Sequence, residues 1–429
     1  MHEKKLNTSS RSKSYFIFLI IVLMCVEILD TYTTNFPNVI PSRIIVEFLS
    51  SYPINVANSI FALCIAIASL GTYIVFFNQL MADRFGRKIL LVITVFGMGF
   101  SSLLIALSTD IVTYTLSLFA LYLFFSSDIW VIYINEESPP DKRAFWTDIV
   151  LIGGVTGSIL LPVFRSIFIS ETVSNWRGMT LFAIIWGIPL SLVIFLSLKE
   201  TSKYEEIKED KAKKEIKIDT NILKSNFKTI FTSVHKKEFV AILIISLIVG
   251  MNYIFASLGE SFISSSPNLN QNDINIVVLV MSLSVVFGYL ITGIAADKYG
   301  RKPLFYIYSV LIPTSILLII LGSNLTEGAI ILVCIGAGLV NVTYWGLGVI
   351  IRITTLEIMP TNARGTGSGL KSLVQAIGIT LGLLLSSLIT FFFGLATSFI
   401  IISLLLFVNL PLIYFFLKET KGVNLSEVK

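Results

Sequence analysis

The sequence predicts an all-α polytopic membrane protein, with 12 transmembrane helices in two pseudo-symmetric six-helix bundles. Three observations predict this. The 429 residues have a mean hydropathy of +0.84 and only 14% charged side chains, against roughly 25% in a soluble chain. About twelve apolar runs reach the ~20 residues a helix needs to cross a bilayer. Three charged signatures also occur twice, in the same order, once in each half of the chain.

The apolar runs fall at about 15–35, 56–79, 89–108, 111–135, 146–168 and 179–198 in the first half. In the second half they fall at about 239–259, 274–295, 303–322, 328–352, 366–390 and 394–417. They are too long and too evenly apolar for barrel strands, which alternate over about ten residues. Met1 to Ser14 is polar and basic. The run after it carries acids and lacks a small-residue cleavage site, so it reads as a retained first helix and not as a cleaved signal.

The net charge of +5 does not point to nucleic acid, because its distribution follows topology. With the N-terminus inside and each span reversing direction, all but Arg43, Arg165 and Arg177 of the 32 Lys and Arg fall toward the cytoplasm. The expectation is a multi-pass protein of the cell membrane with both termini cytoplasmic. The bilayer is then its surrounding partner, and a monomer is expected. Cys25, Cys64 and Cys334 lie inside apolar runs and read as small core residues, so no disulfide, metal site or cofactor is expected.

The stretch between the sixth and seventh runs, "KETSKYEEIKEDKAKKEIKIDTNILKSNFKTIFTSVHKK", is rich in Lys and Glu and reads as a solvated linker with some helix. It divides the chain into a first bundle at 1–198, a linker at 199–237, and a second bundle with its tail at 238–429. The duplicated signatures flank it. "DRFGRK" at Asp83 matches "DKYGRK" at Asp297. Glu136 and Glu357 each open Glu-x-x-Pro-x-x-x-Arg, ending at Arg143 and Arg364. "LKET" ends the sixth and the twelfth run. Each pair is separated by roughly 220 residues, so the halves repeat one template about an axis along the membrane normal. Gly86 and Gly300 permit tight turns there.

These residues resemble the major facilitator superfamily. The family's loop pattern, Gly-x-x-x-Asp-Arg/Lys-x-Gly-Arg-Arg/Lys, stands as Gly293-x-x-x-Asp297-Lys298-x-Gly300-Arg301-Lys302, and the first copy lacks only the leading glycine. "LKETKGVNLSEV" from Leu417 is similar to the Pro-Glu-Thr-Lys-Gly tail of sugar porters and their metabolite-carrying relatives, with Lys418 replacing the proline. The resemblance implies a secondary active transporter working by alternating access. It also implies a cytoplasmic gate of salt bridges among Asp83, Arg84, Arg87, Glu136, Arg143, Asp297, Arg301, Glu357 and Arg364. Departures occur in the interior. Ser246 and Leu247 replace the sugar porters' glutamines in span 7, and Arg352 replaces their cavity tryptophan.

A charge inside a span costs about 2.5–3.5 kcal/mol on insertion scales and needs a reason. Glu27 and Asp30 lie in span 1, three residues apart, and share a helix face. A buried carboxyl has a raised affinity for protons, which suits a group that loads a proton on one side and releases it on the other. Asp30 is the first candidate proton carrier, Glu27 the second and Asp128 of span 4 the third; a static ion pair is the competing reading. Arg352 either snorkels to the interface or holds a substrate carboxylate. Asn252, Tyr253, Asn341, Tyr344, Trp345 and Gln375 are candidates for a polar cavity wall, against ordinary interhelical packing. Gly153-x-x-x-Gly157, Gly365-x-x-x-Gly369 and Gly378-x-x-x-Gly382 predict close helix approach.

The expected function is proton-coupled symport of a small hydrophilic solute, a sugar or a carboxylate metabolite. The alternative is a proton-coupled multidrug efflux antiporter. Those relatives carry a longer glycine motif in span 5, of which "GGVTGSILLP" keeps only the start. No enzyme is expected. There is no Walker loop, His-Glu-x-x-His or Gly-x-Ser-x-Gly, and the two histidines, His2 and His235, stand in polar segments.

Overall fold

The computed structural model describes residues 12–74, 85–124, 129–139, 142–202, 204–205, 221–360 and 363–422. Among them twelve helices are long and apolar enough to cross a membrane. Spans 1 to 6 are Lys13–Val39, Ile54–Ile74, Arg87–Ala106, Ile111–Ile134, Phe145–Phe168 and Gly178–Ser197. Spans 7 to 12 are Lys236–Ser264, Gln271–Tyr299, Arg301–Ser323, Ala329–Ile358, Arg364–Phe393 and Leu395–Phe416. No strand occurs among the described residues; one isolated bridge pairs Ile169 with Ser174. The helices form two six-helix bundles, and the chain between spans 6 and 7 marks one end of the molecule, here termed the linker face. The opposite end is termed the far face.

Small residues set the closest seams. A Cβ on Gly153 would meet the carbonyl oxygen of Met24 at 2.7 Å, and one on Gly157 that of Ile28 at 2.6 Å. Span 5 therefore lies directly against span 1. In the second bundle, Cβ atoms on Gly250, Gly378 and Gly382 would collide with the backbones of Gln375, Leu247 and Met251, so spans 7 and 11 interlock in the same way. Without a hydrophobic drive between helices in lipid, such backbone-to-backbone packing supplies much of the association. Spans 2 and 11 join the bundles through hydroxyls: Ser59 with Ser387 at 3.1 Å, Ser69 with Thr380 at 2.7 Å, and Tyr73 donating to Thr380 at 2.9 Å.

Several helices outrun their apolar stretches. Span 7 continues to Ser264, past the expected end near 259, because Glu260 is paired with protein groups and is not surrendered to water. Span 8 starts at Gln271, where Asn270 and Asp273 form a reciprocal capping box. Within the expected linker, Asn221–Thr232 forms a helix that docks on span 11, with Ile230 fully buried and Asn226 donating to Thr366 at 3.0 Å.

Candidate functional site

The two acids of span 1 aim at different neighbours. Glu27 is 8% exposed and lies at the seam with span 5, where a Cβ on Gly154 would meet its Oε1 at 2.9 Å. Asp30 lines a small enclosed pocket with Val26, Leu91, Thr94, Met98, Phe124 and Trp130, between spans 1, 3 and 4. Three residues of helix leave about 60° between side chains. That is enough to send one carboxylate toward span 5 and the other toward spans 3 and 4. Asp128 lies outside the described residues.

The second bundle supplies cations and aromatic rings. Tyr289 of span 8 lies within electrostatic reach of Arg352 of span 10 and of Glu27 of span 1, in the other bundle. Tyr289 is 46% exposed. Its ring stands 6.2 Å from Trp345, which meets Tyr344 edge-on at 5.6 Å. Tyr344 in turn lies 6.3 Å from Tyr253, whose hydroxyl accepts from Asn38 of the first bundle at 2.9 Å. Lys371, buried about two turns into span 11, donates to Gln375 at 3.4 Å. Two of the candidates serve the scaffold. Asn252 donates to the carbonyls of Ile248 and Ile402, and Asn341 to that of Ala337.

At the linker face the duplicated signatures build the same device twice. Arg87 pairs with Glu136 at 3.1 Å, joining spans 3 and 4. Arg301 pairs with Glu357 at 2.9 Å, joining spans 9 and 10, and with Asp297 at the end of span 8 at 3.2 Å. Arg364 donates to the carbonyl of Met359. Asp83 and Arg84 lie outside the described residues, as does the side chain of Arg143. The "LKET" glutamates complete each unit. Glu200 accepts from the backbone N–H of Arg87 and Lys88, and Glu419 from those of Arg301 and Lys302. Each carboxylate thus caps a helix start, where unsatisfied N–H groups and the helix dipole favour an anion. Desolvation works to raise the Glu419 pKa, but hydrogen bonds from the backbone of Arg301, Lys302, Lys421 and Thr420 hold it below the usual carboxyl range. Gly86 and Gly300 sit at φ +98° and +97°, and a Cβ on either would strike the capping glutamate. Glycine is required there twice over, by conformation and by space.

The far face is closed by an ion pair between the bundles. Arg165, in the last turn of span 5, pairs with Glu260 of span 7, and both side chains are fully buried. Glu260 also accepts from the backbone N–H of Ser42 at 2.8 Å, from its hydroxyl at 2.7 Å and from Ser264 at 3.0 Å. Arg165 donates to Asn275 at 2.8 Å, and Asn275 donates to the carbonyl of Ile169 at 3.0 Å. Arg43 reaches Gln271 beside them. Burial lowers the Arg43 pKa, and the nearby Arg165 guanidinium adds to this while Glu260 opposes it. A buried ion pair is stable only when its remaining hydrogen-bonding capacity is also met, and here the serines and the asparagine meet much of it.

Glu260 and Lys371 escaped the sequence reading, and Arg165 entered it only as an outward charge. The available signal was the one used for Glu27: a charge inside or beside an apolar run that must find a partner. Among the described residues no group of three or more His, Cys, Asp or Glu could hold a metal ion.

The geometry agrees with comparisons to known proteins. The family model for the Major Facilitator Superfamily matches residues 14–378 and 241–429. The chain is similar to the arabinose-proton symporter of Bacillus subtilis, at 26% identity over 388 residues covering 81% of each protein. It is also similar to the sialic acid transporter NanX of Escherichia coli, at 23% identity covering 75% of this chain and 76% of that protein. In fold it matches a crystal structure of a D-xylose-proton symporter, with a TM-score of 0.73 and 15% identity over 95% of this chain and 99% of that one. The inward-open xylose transporter XylE from E. coli gives 0.71 and 17%, over 96% and 99%. Twelve membrane-crossing helices in two bundles, paired helix-start clusters on one face and a family match over nearly the whole chain lead to one conclusion: this protein belongs to the Major Facilitator Superfamily and is a multi-pass membrane transporter.

Proposed function

We propose that the protein is a proton-coupled symporter of a small hydrophilic solute, a carboxylate metabolite or a sugar, working by alternating access in the cell membrane with both termini cytoplasmic. The observation that carries this reading is that Glu27 of one bundle and Arg352 of the other both lie within electrostatic reach of Tyr289. A proton-binding acid in one bundle and a cation in the other can share a solute whose carboxylate or hydroxyls face Arg352. Asp30, in its small pocket beside Trp130, is the proton carrier: protonation removes a buried charge and lets the bundles close over the solute. Trp345, Tyr344, Tyr253 and Gln375 supply the apolar and hydrogen-bonding walls. The linker-face residues Asp83, Arg84, Arg87, Glu136, Arg143, Asp297, Arg301, Glu357 and Arg364 form the cytoplasmic gate: the pairs Arg87–Glu136 and Arg301–Glu357 stiffen each bundle, and the cluster as a whole faces its counterpart when that side closes. The arabinose-proton symporter and the sialic acid transporter among the similar proteins support both solute classes.

The test is uptake into vesicles of reconstituted protein, with an imposed proton gradient and a panel of sugars and carboxylates. Wild type accumulates its solute uphill. Asp30→Asn retains counterflow exchange but loses accumulation, by about tenfold or more. Equal accumulation by Asp30→Asn and wild type would refute the assignment.

A further inference from the structure

We propose that the protein holds one anionic phospholipid, from the leaflet on the linker side, in a groove between spans 7 and 12. The groove encloses about 360 Å³ and is walled by Phe231 of the linker helix, Val240, Ala241 and Ile244 of span 7, and Leu412 and Phe416 of span 12. Lys236 and Lys237 form its rim. Residues 237, 240, 241 and 244 share one helix face, so the groove runs about 10 Å into the membrane from a charged mouth. Val240, Ile244 and Phe416 are 42%, 39% and 44% exposed, which places the opening on the flank that faces the bilayer.

The chemistry is that of a phospholipid end to end. Two lysines stand at one end of the groove, and the rest of its wall is apolar. A transported solute has no business in such a wall, and a partner helix would leave both lysines unmatched. Basic mouths of pockets between helices favour anionic headgroups. Glu238, next to Lys237 in the chain, is engaged by His235 Nδ1 at 3.6 Å and Lys418 Nζ at 3.8 Å. Lys228, exposed one turn before Phe231, adds to the positive field.

The first bundle provides an internal control. Its corresponding seam, between the start of span 1 and the end of span 6, is bridged by a contact of another kind. The hydroxyl of Tyr15 accepts from the backbone N–H of Lys199 at 2.8 Å, and the Lys199 ammonium lies 5.5 Å from the Tyr15 ring.

The experiment is native mass spectrometry of the full chain released from nanodiscs of mixed phosphatidylglycerol and phosphatidylcholine. The expected result is one retained phosphatidylglycerol per protein. Lys236→Gln/Lys237→Gln should lower the preference for phosphatidylglycerol roughly tenfold, with the melting temperature in lipid-free detergent unchanged. Ala241→Phe, which fills the groove, should abolish retention of either lipid. Equal retention of the two lipids by wild type, an undiminished preference in the double lysine variant, or a dimer buried on this flank would each overturn the proposal.

Discussion

The two faces of the molecule are held by charges in opposite ways. At the linker face Arg87–Glu136 and Arg301–Glu357 each tie spans of the same bundle, and the arrangement occurs twice. At the far face Arg165–Glu260 ties one bundle to the other, and occurs once. The first kind of contact shapes a bundle. The second opposes the separation of the bundles at that face. A transporter needs both: units stiff enough to rock, and a clasp that can be undone.

The sharpest way to break this comparison is Glu260→Ala. It strands the Arg165 guanidinium in a closed seam, and removing one member of a buried pair costs about 3–5 kcal/mol. The closed far face should lose its advantage by a hundredfold or more. Spin labels placed either side of that seam should report a longer separation than in wild type. Arg165→Met/Glu260→Leu, which removes both charges, should recover most of the closed population. An unchanged distance in the single variant would show that the ion pair does not govern closure.

Gly300→Ala comes next in expected size. It forces an alanine to φ near +97° and pushes its Cβ into Glu419. Strain of this kind costs about 1–3 kcal/mol. The melting temperature should fall by several degrees, while the far-face distance stays as in wild type. A shifted far-face distance would mean that the two faces are not separable as described.

The smallest effect belongs to Glu419→Gln. A carboxyl held below its ordinary pKa stabilises the folded protein fully above the usual value of 4.5, and that contribution disappears as pH falls through the lowered one. Wild type should therefore melt above the variant at pH 7, and the two curves should converge under acid. A gap that persists at pH 2 would point to lost geometry and not to lost charge.

These regions also differ in how far the amino-acid sequence alone exposed them. Hydropathy located all twelve spans, because a helix in lipid must keep about 20 residues apolar. Repetition exposed the linker-face clusters: one Asp-x-x-Gly-Arg is weak, and two in register are not. Even so, the glutamates of "LKET" could be matched but not assigned a task, since capping depends on where the chain folds back. The far-face pair was out of reach for a different reason. Arg165 and Glu260 lie in different bundles, belong to no repeated motif, and meet because span 5 packs against span 8 and so brings its last turn to the end of span 7. Glu27 and Asp30 show a third limit. Their spacing placed them on one helix face, but the neighbours at that depth, Gly154 on one side and Trp130 on the other, gave each a separate setting.

Glu200 and Glu419 have a mechanical consequence. Each one fastens the strand leaving the last helix of a bundle to the first backbone amides of that bundle's third helix. The six helices are thereby belted, with the buckle at the cytosolic rim in the proposed orientation, and torque applied through the connecting segment acts on a whole bundle and not on its terminal helix.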